Sequence, residues 1–213
     1  MKNSTIQRAV LCLSIMMVLA INYYLYARSN DLPNIQGVFL SPALKIAPFE
    51  LVDHQGNRFT NSDLEGDWHL LAYGYTYCPD YCPNVLDKLH RVSKMLVEAG
   101  QFTNLQVIFY SIDPINDTAE RMAEYTSYFN HDFIGLTSDV SLSEGASSFE
   151  RSLGIVSAKS ESGGFSHGVF IYLINADGEL QAVFKPEAES GELAYFSKRQ
   201  VFRDYMAIRT YFM

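Results

Sequence analysis

The feature that most constrains this chain is a strand, a five-residue cysteine bracket and a helix run together without a break. Residues 68–76 are apolar and aromatic-rich, the pattern of a strand buried on both faces. Cys78-Pro79-Asp80-Tyr81-Cys82 follows at once. Residues 83–99 then suit a helix, with Pro83 in the first turn, Val85, Leu86, Leu89, Val92 and Leu96 on one side, and Gly100 as the stop. A strand feeding a helix in this way belongs to an open α/β sheet, and such sheets place their sites at the carboxyl ends of strands.

The rest of the chain continues the alternation. Residues 49–52 and 58–60, separated by Asp53-His54-Gln55-Gly56-Asn57, read as a hairpin. Residues 105–112 form a second buried strand. Asp117-Thr118-Ala119-Glu120 opens a helix that runs to about Asn130, and residues 141–151 form another. A strand over 167–174 turns through Asn175-Ala176-Asp177-Gly178 into a strand over 179–184, and residues 190–211 close the chain as a helix. The pattern predicts a three-layer α/β sandwich.

The amino-terminal end is different. Residues 9–27 carry no charge over 19 positions, close to the ~20 residues that cross a bilayer core. Tyr23, Tyr24 and Tyr26 sit at the far end, where aromatic rings favour the interface, and Lys2 and Arg8 hold the near end on the cytoplasmic side. The run exceeds the apolar region of a signal peptide, and Leu25 spoils a cut after Ala27. The expected organisation is a short cytoplasmic amino terminus (1–8), one transmembrane anchor (9–27), an extended tether (28–47) and a folded domain (48–213). A bacterial inner-membrane protein with its domain in the periplasm follows. Beyond the apolar run, 13 basic residues face 24 acidic ones, which excludes a nucleic-acid-binding role.

Cys78 and Cys82 are the only thiols outside the apolar run, which holds Cys12. Three residues lie between them, against two in the usual thioredoxin-type redox motif. The longer bracket lets two thiolates converge on one soft ion and still permits a disulfide. The helix start beside it lowers thiol pKa values. Two thiolates make an incomplete metal site, and five histidines are available for a third ligand. His54, His69, His90 and His131 read as structural or solvated. His167 differs, because Gly163-Gly164-Phe165-Ser166 delivers it to the start of a strand. No proline occurs between Pro114 and Pro186, so the cis-proline with which thioredoxin-type enzymes grip a substrate chain is missing, and Ser166-His167 stands in that loop.

These residues resemble the Sco/SenC family, copper-binding thioredoxin-fold assembly factors for cytochrome c oxidase. The resemblance rests chiefly on Tyr73-Gly74-Tyr75-Thr76-Tyr77-Cys78-Pro79-Asp80-Tyr81-Cys82-Pro83. It extends through Pro48-Phe49-Glu50-Leu51-Val52-Asp53-His54-Gln55-Gly56, Ser111-Ile112-Asp113-Pro114 with Asp117-Thr118, Gly135-Leu136-Thr137, and Ile171-Tyr172-Leu173-Ile174-Asn175-Ala176-Asp177-Gly178. It implies a thioredoxin-like sandwich with an N-terminal β-hairpin. It also implies one copper ion per domain, as Cu(I) or Cu(II), held by Cys78, Cys82 and His167. Ser166 and Gly168 stand where the family usually has an Asp and a small hydroxyl residue. Loss of the orienting carboxylate predicts weaker or more labile Cu(II) binding.

The first functional expectation is a membrane-tethered metallochaperone that delivers copper to the binuclear CuA centre of oxidase subunit II. It would draw on another periplasmic copper chaperone or a thiol reductant. A second is a thiol–disulfide oxidoreductase in which Cys78 and Cys82 are the catalytic pair that reduces the recipient's cysteines. A redox or copper sensor is a third. A peroxidase is disfavoured, because the loop offers no evident arginine to polarise a peroxide. An inert structural disulfide is disfavoured too, since so short a bracket gives little loop-closure stabilisation.

Overall fold

The computed structural model describes residues 2–29, 32–160, 164–187 and 195–213. A long helix, α1 (Lys2–Ser29), comes first, followed by β1 (Gly37–Lys45) and the hairpin β2 (Glu50–Asp53) and β3 (Arg58–Thr60). The expected strand–helix unit is β4 (Trp68–Gly74) and α2 (Tyr81–Ala99). Next come β5 (Leu105–Ser111), α3 (Ala119–Phe129), β6 (Ile134–Thr137) and α4 (Ser143–Leu153). A small hairpin, β7 (Ser157–Lys159) and β8 (Phe165–His167), precedes β9 (Ile171–Ile174), β10 (Glu179–Phe184) and α5 (Lys198–Tyr211).

Eight strands form one mixed sheet in the order β1-β10-β9-β4-β5-β6-β2-β3. Strands β4, β5 and β6 run parallel, in register from Trp68 opposite Leu105 to Gly74 opposite Ser111. The two flanks are antiparallel. Side chains of the central strands alternate between two cores. Leu70, Ala72, Val107, Phe109, Ile171 and Leu173 face the layer of α2, α3 and α5. Leu71, Tyr73, Ile108, Tyr110, Tyr172 and Ile174 face the layer of α4 and the hairpin residues Leu51 and Phe59. Both faces are covered, which is why these strands read as unbroken apolar runs rather than alternating ones. The thioredoxin-like three-layer sandwich with an N-terminal hairpin is the observed fold.

Three expectations need correction. Residues 28–47 are not an extended tether throughout, because β1 takes the outer place in the sheet against β10, with Gly37 opposite Phe184. Its alternation is hidden by Pro42 and by a register break between Phe39 and Leu44. The entry to β1 is fixed by Asp204, buried on α5, whose Oδ2 accepts from the Gln36 N–H at 2.9 Å. The strand expected over 167–174 is two separate pieces, β8 and β9. The closing helix starts at Lys198, and residues 190–194 of the expected span lie outside the described residues, as does Gly163. Separately, among the described residues no helix is long and apolar enough to cross a membrane. The consecutive described side chains of α1, from Val10 to Tyr24, are all exposed.

Gly74 ends β4 where no side chain fits. A Cβ there would overlap the Cys82 Sγ and lie 3.5 Å from the Phe109 ring. We expect Gly74→Ala to push the start of α2 off the sheet at a cost of about 1–3 kcal/mol. A thermal melt checks this; an unchanged Tm would show that the contact is not tight.

Candidate metal centre

The cysteine bracket sits at the carboxyl end of β4, in the centre of the sheet. Cys82 belongs to the first turn of α2 and is buried, while Cys78 precedes the helix and is half-buried; both are free thiols. The Cys82 N–H donates to the Cys78 Sγ at 3.5 Å. The helix start therefore treats the two sulfurs differently. A hydrogen bond from the Cys82 thiol, helped by the amides of residues 80–82, outweighs burial and lowers the Cys78 pKa to about 5. The same shared proton, then burial, pushes Cys82 up. Cys78 is the standing thiolate and Cys82 the protonated neighbour.

A buried carboxyl group holds the loop in place. Asp117 is fully buried, and its Oδ2 accepts from the Thr76 N–H at 3.0 Å and the Ser111 hydroxyl at 2.5 Å. Its Oδ1 accepts from the Thr76 hydroxyl at 2.6 Å. The segment leaving β4 is thus tied to the segment leaving β5. Arg121 on α3 donates from Nε to the Thr76 hydroxyl at 3.2 Å, and its guanidinium lies 5.4 Å from the Tyr77 ring centre. No arginine is visible in the loop itself, and α3 brings one to it. A Ser at the end of an otherwise apolar strand, six residues before an Asp, was the sequence signal for this clamp.

His167, on β8, lies at the same end of the sheet. Its ring is 5.3 Å from the Tyr73 ring and 6.3 Å from the Tyr75 ring, centre to centre. Its Nδ1 is 2.7 Å from the Gly168 carbonyl oxygen. A carbonyl only accepts, so Nδ1 carries the proton and Nε2 keeps the lone pair that binds metal. The backbone here does the orienting expected of the missing carboxylate. Gly168 is itself required, because a Cβ there would lie 2.8 Å from the Phe170 ring and 3.1 Å from the Tyr73 hydroxyl. Among the described residues no three His, Cys, Asp or Glu side chains converge closely enough to hold a metal ion. The cysteines are together; His167 is nearby without completing the group.

The other histidines are elsewhere. His69 is buried on β4, where burial lowers its pKa to about 4. His54 is half-buried rather than simply exposed, and its Nδ1 accepts from the Gly135 N–H at 3.2 Å. His90 packs against Phe133, and His131 is exposed.

A thioredoxin-like sheet with a polarised dithiol at its central strand–helix junction and an imidazole on the adjoining hairpin defines a class of thiol- and metal-handling domains. The chain belongs to the SCO1/SenC family, whose sequence profile matches residues 40–201. It is 34% identical over 149 residues to the human mitochondrial protein SCO1 homolog, covering 69% of this chain and 50% of that one. It is 32% identical over 183 residues to a putative copper-binding protein of Stutzerimonas stutzeri, covering 84% and 86%. The chain thus spans about half the length of its animal relatives. Among solved structures, Arabidopsis thaliana ScoI with copper bound superposes with a TM-score of 0.65 at 27% identity, over 78% of this chain and 99% of that one.

The unequal sulfurs predict unequal reactivity. A thiol whose pKa is lowered is charged and nucleophilic above that value, and loses reactivity as pH falls through it. In the reduced protein, alkylation of Cys78 should be half-maximal near pH 5 and flat above pH 7, with Cys82 far behind. Mass mapping of the alkylated peptides checks the order, and equal rates at the two sites would refute it.

Proposed function

We propose that this chain is a membrane-tethered copper metallochaperone. Its cargo is one copper ion, held by the Cys78 and Cys82 sulfurs and His167 Nε2, for delivery to subunit II of cytochrome c oxidase. The observation that carries the reading is the donor set. Two adjacent soft sulfurs, one already a thiolate, suit Cu(I), and an imidazole with its lone pair free suits Cu(II) as well. A Stutzerimonas stutzeri relative named as copper-binding and a copper-bound Arabidopsis neighbour support copper over other soft ions. The hairpin β7–β8, paired from Ser157–His167 to Lys159–Phe165, is a separate small unit, and its movement toward the cysteines would complete the site.

The membrane reading rests on the uncharged stretch 9–27, all of it within α1, and on orientation by Lys2 and Arg8. With β1 in the sheet, only about nine residues separate the anchor from the domain, a reach of about 30 Å. The domain then works close to the membrane, in the periplasm of a bacterial cell. A second reading, thiol–disulfide exchange, is favoured by the same polarised pair: Cys78 attacks and buried Cys82 resolves.

In full-length protein, Cys78→Ser and Cys82→Ser should each abolish stoichiometric Cu(I) binding, and His167→Ala should weaken Cu(II) far more than Cu(I). Chelator competition and EPR read the two states. Retained Cu(I) in either serine variant removes the thiolate site, and an unmoved Cu(II) spectrum means another third ligand. Loss of copper binding by wild type with a readily cycled disulfide would leave the oxidoreductase. The anchor is tested separately: the full chain should resist carbonate extraction from membranes, and release into the wash would refute the span.

A further inference from the structure

Beyond the uncharged stretch the chain is acidic, with 13 basic residues against 24 acidic ones, yet its cations are unevenly spread. Two adjoining grooves on the outer face of the helical layer collect five of them. One, between α2 and α3, holds Arg91 and Lys94 beside Tyr128. The other, between α2 and the start of α5, holds Lys88, Arg91, Lys198 and Arg199. Arg91 lines both, so the grooves form one strip. The spacing 88, 91, 94 keeps the three α2 cations on one side of that helix. Among the described residues Asp87 is the single carboxylate lining the strip, and it is already paired with Arg91 at 2.9 Å and Lys88 at 3.6 Å. Arg91, Lys94 and Arg199 are exposed, and Tyr128 is 86% exposed, so cations and a phenol ring face outward together.

The segment that leads into the domain joins it beside this strip. Gln36, the residue before β1, donates its N–H to Asp204 on α5, and its carbonyl accepts from the Lys185 N–H at 3.1 Å. Ile35 packs on the same core as α2 and α5. Asp204 lies six residues after Lys198, about 9 Å along α5. A tether of about nine residues keeps the strip within reach of the bilayer surface, where lipid phosphates supply negative charge and phenol rings favour the interface. We propose that the strip docks on anionic lipid headgroups of the membrane that holds the anchor. Lys88, Arg91, Lys94, Lys198 and Arg199 face the phosphates, and Tyr128 enters the interfacial layer. This rests on the reading of residues 9–27 as a membrane anchor. An acidic protein would offer similar charge, but the tether holds lipid at a far higher local concentration than any free partner. None of the five cations belongs to the cysteine bracket, so the docked domain leaves its thiols to a partner beside the same membrane.

The test places the full chain in lipid nanodiscs, of phosphatidylcholine alone or mixed with phosphatidylglycerol, and reads lysine acylation by mass mapping. In the anionic discs Lys88, Lys94 and Lys198 should react about fivefold more slowly than in neutral ones. Lys45 and Lys159, exposed and away from the strip, should keep their rates. The protection should vanish in 1 M salt, where the screening length falls to about 3 Å. The double variant Arg91→Glu, Arg199→Glu should lose it while melting like wild type. Equal rates in the two discs overturn the proposal. So does protection that is as strong in neutral discs, or that grows with protein concentration, which marks a second copy on the strip. Protection by added poly-glutamate but not by anionic lipid assigns the strip to an acidic protein and overturns it as well. A chain that does not enter the discs overturns the anchor reading instead. The strip is then judged by flotation of the same chain with phosphatidylglycerol vesicles. Flotation that the double variant loses supports it; no flotation, or flotation the variant keeps, overturns it.

Discussion

The candidate site depends on one buried carboxyl group. Asp117 takes three hydrogen bonds, two from Thr76 and one from Ser111, and so ties the ends of the two central parallel strands together. Both sulfurs leave the sheet just beyond those ties. The cysteine bracket departs from Thr76, and α3, with Arg121 and Tyr125, departs from Asp117. A loop so anchored presents Cys78 at a helix start and Cys82 against Gly74 in one geometry, at little further entropic cost. Replacing the carboxyl group would leave Thr76 and Ser111 buried with donors unmet, so its loss would be felt at the sulfurs before it was felt in the sheet.

The division of labour between the sulfurs follows from that placement. One is half-exposed and accepts from the helix start; the other is enclosed and shares its proton. Such a pair can begin a transfer from the open side while its second member stays protected. The same asymmetry serves metal capture and disulfide exchange, which explains why the bracket alone does not separate the two chemistries. The imidazole on β8 is what distinguishes them, and it is carried on a hairpin outside the main sheet.

Much of this was legible in the chain. The run from Trp68 to Ala99 announced the strand–helix junction and its cysteines, and the two-sided burial of β4 and β5 explains why apolar continuity was a dependable signal. What stayed hidden lacked periodicity or depended on distant partners. Strand β1 is interrupted by Pro42 and a register break. The break between β8 and β9 follows from β8 pairing with β7 while β9 pairs with β4 and β10, long-range partners that local composition does not register. Arg121 and Tyr125 read as ordinary helix residues until α3 is laid beside the loop. The orienting contact of His167 is a backbone carbonyl, which no side-chain motif encodes.

The outermost strands also decide how these domains meet one another. At one edge, β1 contains Pro42, which has no N–H to offer, breaks register, and ends in Lys45. At the other, β3 is three residues long and opens with Arg58. Neither is a good template for a strand of a second molecule. A crowded population of these domains is therefore poorly equipped to grow into shared sheets. Productive encounters are left to the end of the molecule that carries the thiols.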